Sequence, residues 1–196
     1  MWLERISGGG VDLVDLDDAK KHLRLLEDDF DTQVAAAVRS ASAQLDVDTD
    51  GFGGLGFPIV SQAWSAKGSG FTDQVLRLPF PRVSAITEIR YTDPDGAAQV
   101  VPSSDYLLTR DGRGAVVVLL SGKSWPSVID RPDAVDLRFV AGFADVASVP
   151  DDIVEAAKQL IGFYFEHRGA EPTAGVAEDA ARCVDDLTRR YRRFAM

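Results

Sequence analysis

At 196 residues and a formal charge of −10, with 45% hydrophobic and 27% charged residues, the chain has the composition of an ordinary globular protein with one good core. The acidic balance argues against a surface that wraps nucleic acid by neutralising phosphates, which requires basic residues. The single cysteine, Cys183, leaves no internal disulfide framework and no multi-cysteine metal site.

The N-terminal stretch "MWLERISGGGVDL" has neither the apolar centre nor the cleavage site of a signal peptide. No apolar run approaches the ~18 residues that a membrane span requires. The expectation is a chain that avoids the membrane and stays in a reducing compartment.

Residues 1–14 read as a Gly-rich extension. A helix follows in "VDLDDAKKHLRL", with Asp15 as N-cap, Asp17 and Asp18 at the positive end of the dipole, and Leu16, Ala19 and Leu23 on one face. "LEDDFD" breaks and re-caps the chain. A second helix over about residues 30–46 places Phe30, Val34, Ala37, Val38, Ala41 and Leu45 at spacings of three and four. Residues 15–50 are therefore an antiparallel helical pair.

Over residues 51–147 the period falls from 3.6 to 2. "IVSQAWSA", "QVLRLP", "SAITEIRYT", "AVVVLL" and "AVDLRFV" predict short strands. Turns fall at Asp93-Pro94-Asp95-Gly96 and Asp111-Gly112-Arg113-Gly114. In the last strand Val135, Leu137 and Phe139 point one way and Asp136 and Arg138 the other. The block is an antiparallel sheet domain.

Helices return in residues 148–168, with Pro150 in the first turn followed by Asp151 and Asp152. Ile153, Ala157, Leu160, Ile161, Tyr164 and Phe165 make an apolar face that ends at Gly169. Residues 169–196 hold a last helix, about 176–193, ending in "RRYRRFAM". The fold class is α+β, with two N-terminal and two C-terminal helices around an inserted antiparallel sheet domain.

Few residues suggest chemistry. Residues 46–51, "DVDTDG", match the first half of a calcium loop, but Phe57 stands where the bidentate Glu belongs. The two readings are a flexible acidic-glycine loop and a weak cation site. The only histidines, His22 and His167, have no ligand-type spacing. The glycine clusters at 8–10 and 51–56 lack a phosphate-loop frame and read as hinges. Acid pairs such as Asp151 and Asp152 are explained by capping, so a small hydrolase or cation-binding protein using the acidic residues is the alternative rather than the leading reading.

Three sets of residues suggest contacts instead. Trp125, in "GKSWPS", is either a packed aromatic closing the sheet domain or a partner contact. Arg189, Arg190, Tyr191, Arg192, Arg193, Phe194 and Met196 are either a solvated helix end or a docking segment with apolar anchors and a basic grip. Gly142, Phe143 and Pro150, in "FVAGFADVASVPDDIVEAA", form a joint from the sheet domain back to the helices. For a joint of this kind, a β-branched residue at Gly142 is expected to disturb assembly more than folding.

That joint, with "LDDAKKHLRLLEDDFDTQVAAAVRSASAQLD", "VSQAWSA", "ITEIRYTDPDGAAQVV" and "GKSWPSVIDRPDAVDLRFV", resembles the head–tail connector (adaptor) proteins of long-tailed bacteriophages and phage-like particles. The most specific piece is Val140-Ala141-Gly142-Phe143 followed by Val149-Pro150 and an acidic helix start. The loop "DVDTDGFGGLGF" is longer than the family's usual turn.

The resemblance implies a non-enzymatic structural subunit without a cofactor. It implies a homo-oligomeric ring, typically of twelve, at the head–tail junction of a phage, prophage or gene-transfer particle made in the bacterial cytoplasm. The C-terminal segment would bind the portal protein, and a stopper or tail-terminator protein would follow. DNA would pass through the channel without sequence-specific binding.

Overall fold

The computed structural model describes residues 1–71, 75–169 and 174–191, with the side chains of 174 and 176 left aside. Its elements run β1 (Trp2–Ser7), α1 (Leu16–Leu23), α2 (Asp31–Leu45), β2 (Gln62–Gly68), β3 (Val75–Arg77), β4 (Val83–Thr92), β5 (Ala98–Val100), β6 (Tyr106–Asp111), β7 (Gly114–Leu119), β8 (Val135–Ala141), α3 (Asp151–Glu166) and α4 (Ala174–Thr188). The architecture is α+β, as the change of period implies.

The helices form a layer of their own, α2 packing on α1 and α3, and α3 on α4. The start of α1 follows from its cap: the Asp15 carboxylate accepts from Asp18 N at 2.7 Å. Arg24 then closes α1 in the left-handed region at φ 59°, its N–H reaching back to the carbonyls of Lys20 and Lys21. Lys20 ties down the acidic break, bridging Asp28 at 2.5 Å and Asp31 at 2.7 Å. Hydrogen bonds to those two carboxylates, Asp28 foremost, push its pKa up to about 12.

Beside the helices lie two antiparallel sheets, of order β1-β2-β8-β4-β5 and β3-β7-β6. Trp64, Leu137, Phe139 and Ile89 from the larger sheet, and Leu76, Ala115 and Val117 from the smaller, are buried in the same core as the helical residues. Phe80 joins them, edge-on to Trp64 at 5.0 Å. The opposite face of the larger sheet carries cross-strand charges in register. Lys67 stands opposite Asp136, Asp136 opposite Arg90, and Arg138 opposite Glu88. The alternation expected in the last strand is observed, with Val135, Leu137 and Phe139 buried.

Several details differ from the sequence reading. Residues 2–7 are not a loose lead but the edge strand of the larger sheet, paired with β2 from Trp2 opposite Lys67 to Ser7 opposite Ala63. Strand β6 differs from the expectation: it lies at a sheet edge and is largely exposed, so its alternation is weak. Helix α3 ends at Glu166, three residues before Gly169. Helix α4 spans Ala174–Thr188, so residues 189–191 lie beyond it.

Both expected turns are present. Gly96 takes φ 86°, and the Asp93 carboxylate accepts from Asp95 N and Ala97 N. Asp111 does the same for Arg113 N and Gly114 N.

Candidate interaction surfaces

The helical layer meets the sheets through three passages of chain, residues 8–15, 46–61 and 142–150. The third is the expected joint, and its backbone is held from two sides. Gly142 N donates to the Arg82 carbonyl at 2.9 Å, and Phe143 N to the Ile59 carbonyl at 2.8 Å. Gly142 adopts φ 114°, and a Cβ there would stand 2.5 Å from the Val60 carbonyl oxygen. Only glycine fits, on both grounds. A substitution therefore strikes the fold itself, contrary to the expectation that assembly would suffer first.

Phe143 anchors the turn, edge-on to Phe57 at 6.5 Å and covered by the Arg82 guanidinium at 4.1 Å. Asp145 caps a short 3-10 turn (Val146–Ser148), accepting from Ser148 N at 2.8 Å and Ser148 Oγ at 2.6 Å. These bonds, the hydroxyl's first, hold its carboxyl below the usual range. Pro150 occupies the cap position of α3, and its carbonyl accepts from Ile153 N at 2.9 Å.

The second passage, "DVDTDGFGGLGFPIV", is not a hinge. Leu55, Phe57 and Ile59 are buried, and a Cβ on Gly54 would lie 2.2 Å from the Asp46 carbonyl oxygen. The loop is thus pressed against the end of α2. Asp46 does the joining: its carboxylate accepts from Ile59 N at 3.0 Å and from Gln62 Nε2 at 2.6 Å, linking the end of α2 to β2. Burial raises its pKa, opposed by the Ile59 and Val47 backbone donors. Asp48 turns its carboxylate onto Asp50 N and Phe52 N. Two of the three carboxylates of the calcium-like pattern, Asp46 and Asp48, are thus engaged with donors of the protein. Asp46 is the linking residue that the sequence pattern concealed, because its partners lie 13 and 16 positions away.

Trp125 is half-buried and stacks flat on Phe71, ring centres 4.6 Å apart and planes 4° from parallel. It closes one side of the sheet domain. His22 and His167 both line a cavity of about 470 Å³ between α1, α3 and α4. Among the described residues no cluster of three His, Cys, Asp or Glu side chains could hold a metal ion. Nor is any described helix long and apolar enough to cross a membrane.

Of the C-terminal set, three residues are described; Arg192, Arg193, Phe194 and Met196 lie outside the described residues. Arg189 is exposed and pairs with Asp186 at 3.0 Å. Arg190 pairs with Asp152, and the Tyr191 hydroxyl donates to the same carboxylate at 3.4 Å. Asp152 lies two positions after Pro150. The structure therefore brings together two sets that the sequence offered separately, the joint and the basic end.

An α+β fold with a helical layer beside two antiparallel sheets, and an exposed basic end, is the class the geometry defines. The particular fold is known from neck structures. The chain is similar over 100% of its length to a chain, 97% covered, in the neck of an empty GTA particle computed with C6 symmetry, with a TM-score of 0.68 and 20% identity. It is likewise similar to a chain in the neck of a native GTA particle computed with C12 symmetry, at TM-score 0.67 and 19% identity. A third match is a chain in the virion of a native gene transfer agent particle, at 0.66 and 20%. No protein-family model matches the chain, and no curated protein matches it in sequence. The expected connector-type fold is the one observed.

Proposed function

We propose that this protein is a structural, non-catalytic subunit of the neck of a phage-like particle. Twelve copies form a ring between the portal and the stopper or tail, and DNA passes through its centre. The observation that carries this reading is the fold match over the whole chain to neck chains of a gene transfer agent, one of them from a C12 reconstruction. The acidic charge of −10 suits a conduit, because firm binding of phosphates would stall passage.

A ring closes by heterologous contacts between different faces of neighbours, which the helical layer and the sheets supply. The basic end at Arg189, Arg190 and Tyr191 is the portal-binding surface, and Trp125 marks a second contact on the sheet side. The test is co-sedimentation with the portal protein of the same particle, comparing the full chain with a form ending at Arg168, alongside electron microscopy of the assembly. The full chain should sediment with portal as a twelve-fold ring and the shortened form should not. Equal binding by both removes the C-terminal docking role, and a persistent monomer removes the ring.

A further inference from the structure

We propose that Asp152 is the positioning residue of the basic docking surface, fixing Arg190 and Tyr191 at the joint and presenting them to an acidic, apolar-floored partner surface. The proposal rests on the reading of the chain as a portal-binding neck subunit. Asp151 and Asp152 form the acidic first turn of α3, and the helix dipole alone would account for both. They are nevertheless used differently. The Asp152 carboxylate takes the Arg190 guanidinium and the Tyr191 hydroxyl together, whereas Asp151 is exposed in the same turn.

The clamp is reinforced locally. Thr188 Oγ1 donates to the Val184 carbonyl at 2.7 Å, Tyr191 N donates to the Thr188 carbonyl at 2.9 Å, and the Arg190 guanidinium lies 5.0 Å from the centre of the Tyr191 ring. Thr188 is fully buried, and Tyr191 packs against the core. The chain therefore leaves α4 in a set direction. One long cationic side chain, Arg190, and the Tyr191 ring are ordered before a partner arrives, which lowers the entropy lost on binding.

What remains outward decides the partner. The Arg190 side chain is 66% exposed and that of Arg189 is 74% exposed. Each carries five N–H donors in a planar fork, and one carboxylate cannot take them all. Tyr191 supplies an aromatic edge beside them. Carboxylates around an apolar floor complement this surface, and a basic partner is repelled by it.

The test uses the full chain and purified portal protein of the same particle. Asp152→Asn should speed tryptic cleavage after Arg190 about three-fold, the scale of an ion pair at a half-exposed site. It should raise the concentration needed for half-maximal co-sedimentation with portal by a similar factor or more. Asp151→Asn, with the same charge change, should alter neither.

If wild type sediments with portal and Asp152→Asn matches Asp151→Asn in both assays, the positioning role is overturned while the portal reading stands. If wild type fails to sediment with portal yet Asp152→Asn is still cleaved faster, the portal reading is lost and the clamp alone survives.

Discussion

The joint at Gly142 and the basic end at Arg189 both lie at the margin of the helical layer, and they are built in opposite ways. At the joint the backbone of one passage touches the backbone of another, and the Val60 carbonyl leaves no space for a side chain. At the basic end, charged side chains reach outward from a helix that packs elsewhere. The first is specified by shape and the second by charge. Shape tolerates almost no substitution, whereas charge is tuned by residue type, partner and salt. On the function proposed above, a subunit that must hold its angle and still bind other proteins has use for both.

The most severe way to break the contrast is Gly142→Val. It forces a β-branched residue into the left-handed region and drives Cβ into backbone at 2.5 Å. The expected loss exceeds about 4 kcal/mol, enough to abolish cooperative unfolding in a urea titration. Gly112→Ala, in the β6–β7 turn, is the matching control: a Cβ there meets nothing within 4 Å. A soluble Gly142→Val protein with a wild-type unfolding midpoint would show that the joint yields, and would return the question to assembly.

The passage beside the joint, residues 46–61, holds a group that titrates, so the contrast can be sharpened with pH. Burial raises the Asp46 carboxyl above its ordinary value of 3.8. The fold then binds that proton more tightly than the unfolded chain does. Its contribution is complete below about pH 3.8 and is lost as pH rises through the folded value. Asp46→Asn removes this dependence. The amide oxygen can still accept from Ile59 N, and Gln62 can reverse its amide, since its buried Oε1 has no hydrogen-bond partner among the described residues.

Going from pH 3.5 to pH 7, the stability difference should move in favour of the variant. Urea unfolding of both proteins at each pH measures it. The exposed carboxylates with lowered values, such as Asp93 and Asp111, act in the opposite sense but cancel in the difference. A difference independent of pH would mean that Asp46 stays ionised at no cost.

How much of this was legible in the sequence follows the same division. Gly142, Pro150 and the acids after it marked a joint because each acts locally, through φ, a missing N–H or a dipole. What they touch was not legible. Val60, Ile59 and Arg82 are some 60 to 80 positions away and carry no sign of the contact. Asp46 misled for the converse reason: its neighbours copy a calcium loop, while its own partners lie just before and at the start of the next strand. β1 escaped notice because Trp2 and Ile6 face outward at a sheet edge, so apolar residues do not mark the buried side. The basic end was legible as a cluster, but its attachment to Asp152 was hidden behind a capping role that also explains that residue.

At the opposite extreme of effect stands Arg189→Ala. Its guanidinium is mostly exposed and pairs with Asp186, three positions earlier in the last turn of α4, an arrangement whose net worth is close to zero. The melting midpoint should shift by less than about 2 °C. Portal co-sedimentation should still weaken a few-fold, because the charge lost is one that faces the partner.

Salt distinguishes this from a packing defect. Raising ionic strength from about 0.05 to 0.5 M shortens the screening length from roughly 14 Å to 4 Å, so wild type and variant should converge. The deficit of a shape-based variant at the joint should persist at both. If the Arg189→Ala deficit is equally insensitive to salt, then the basic end binds by fit and not by charge, and the division between the two regions fails.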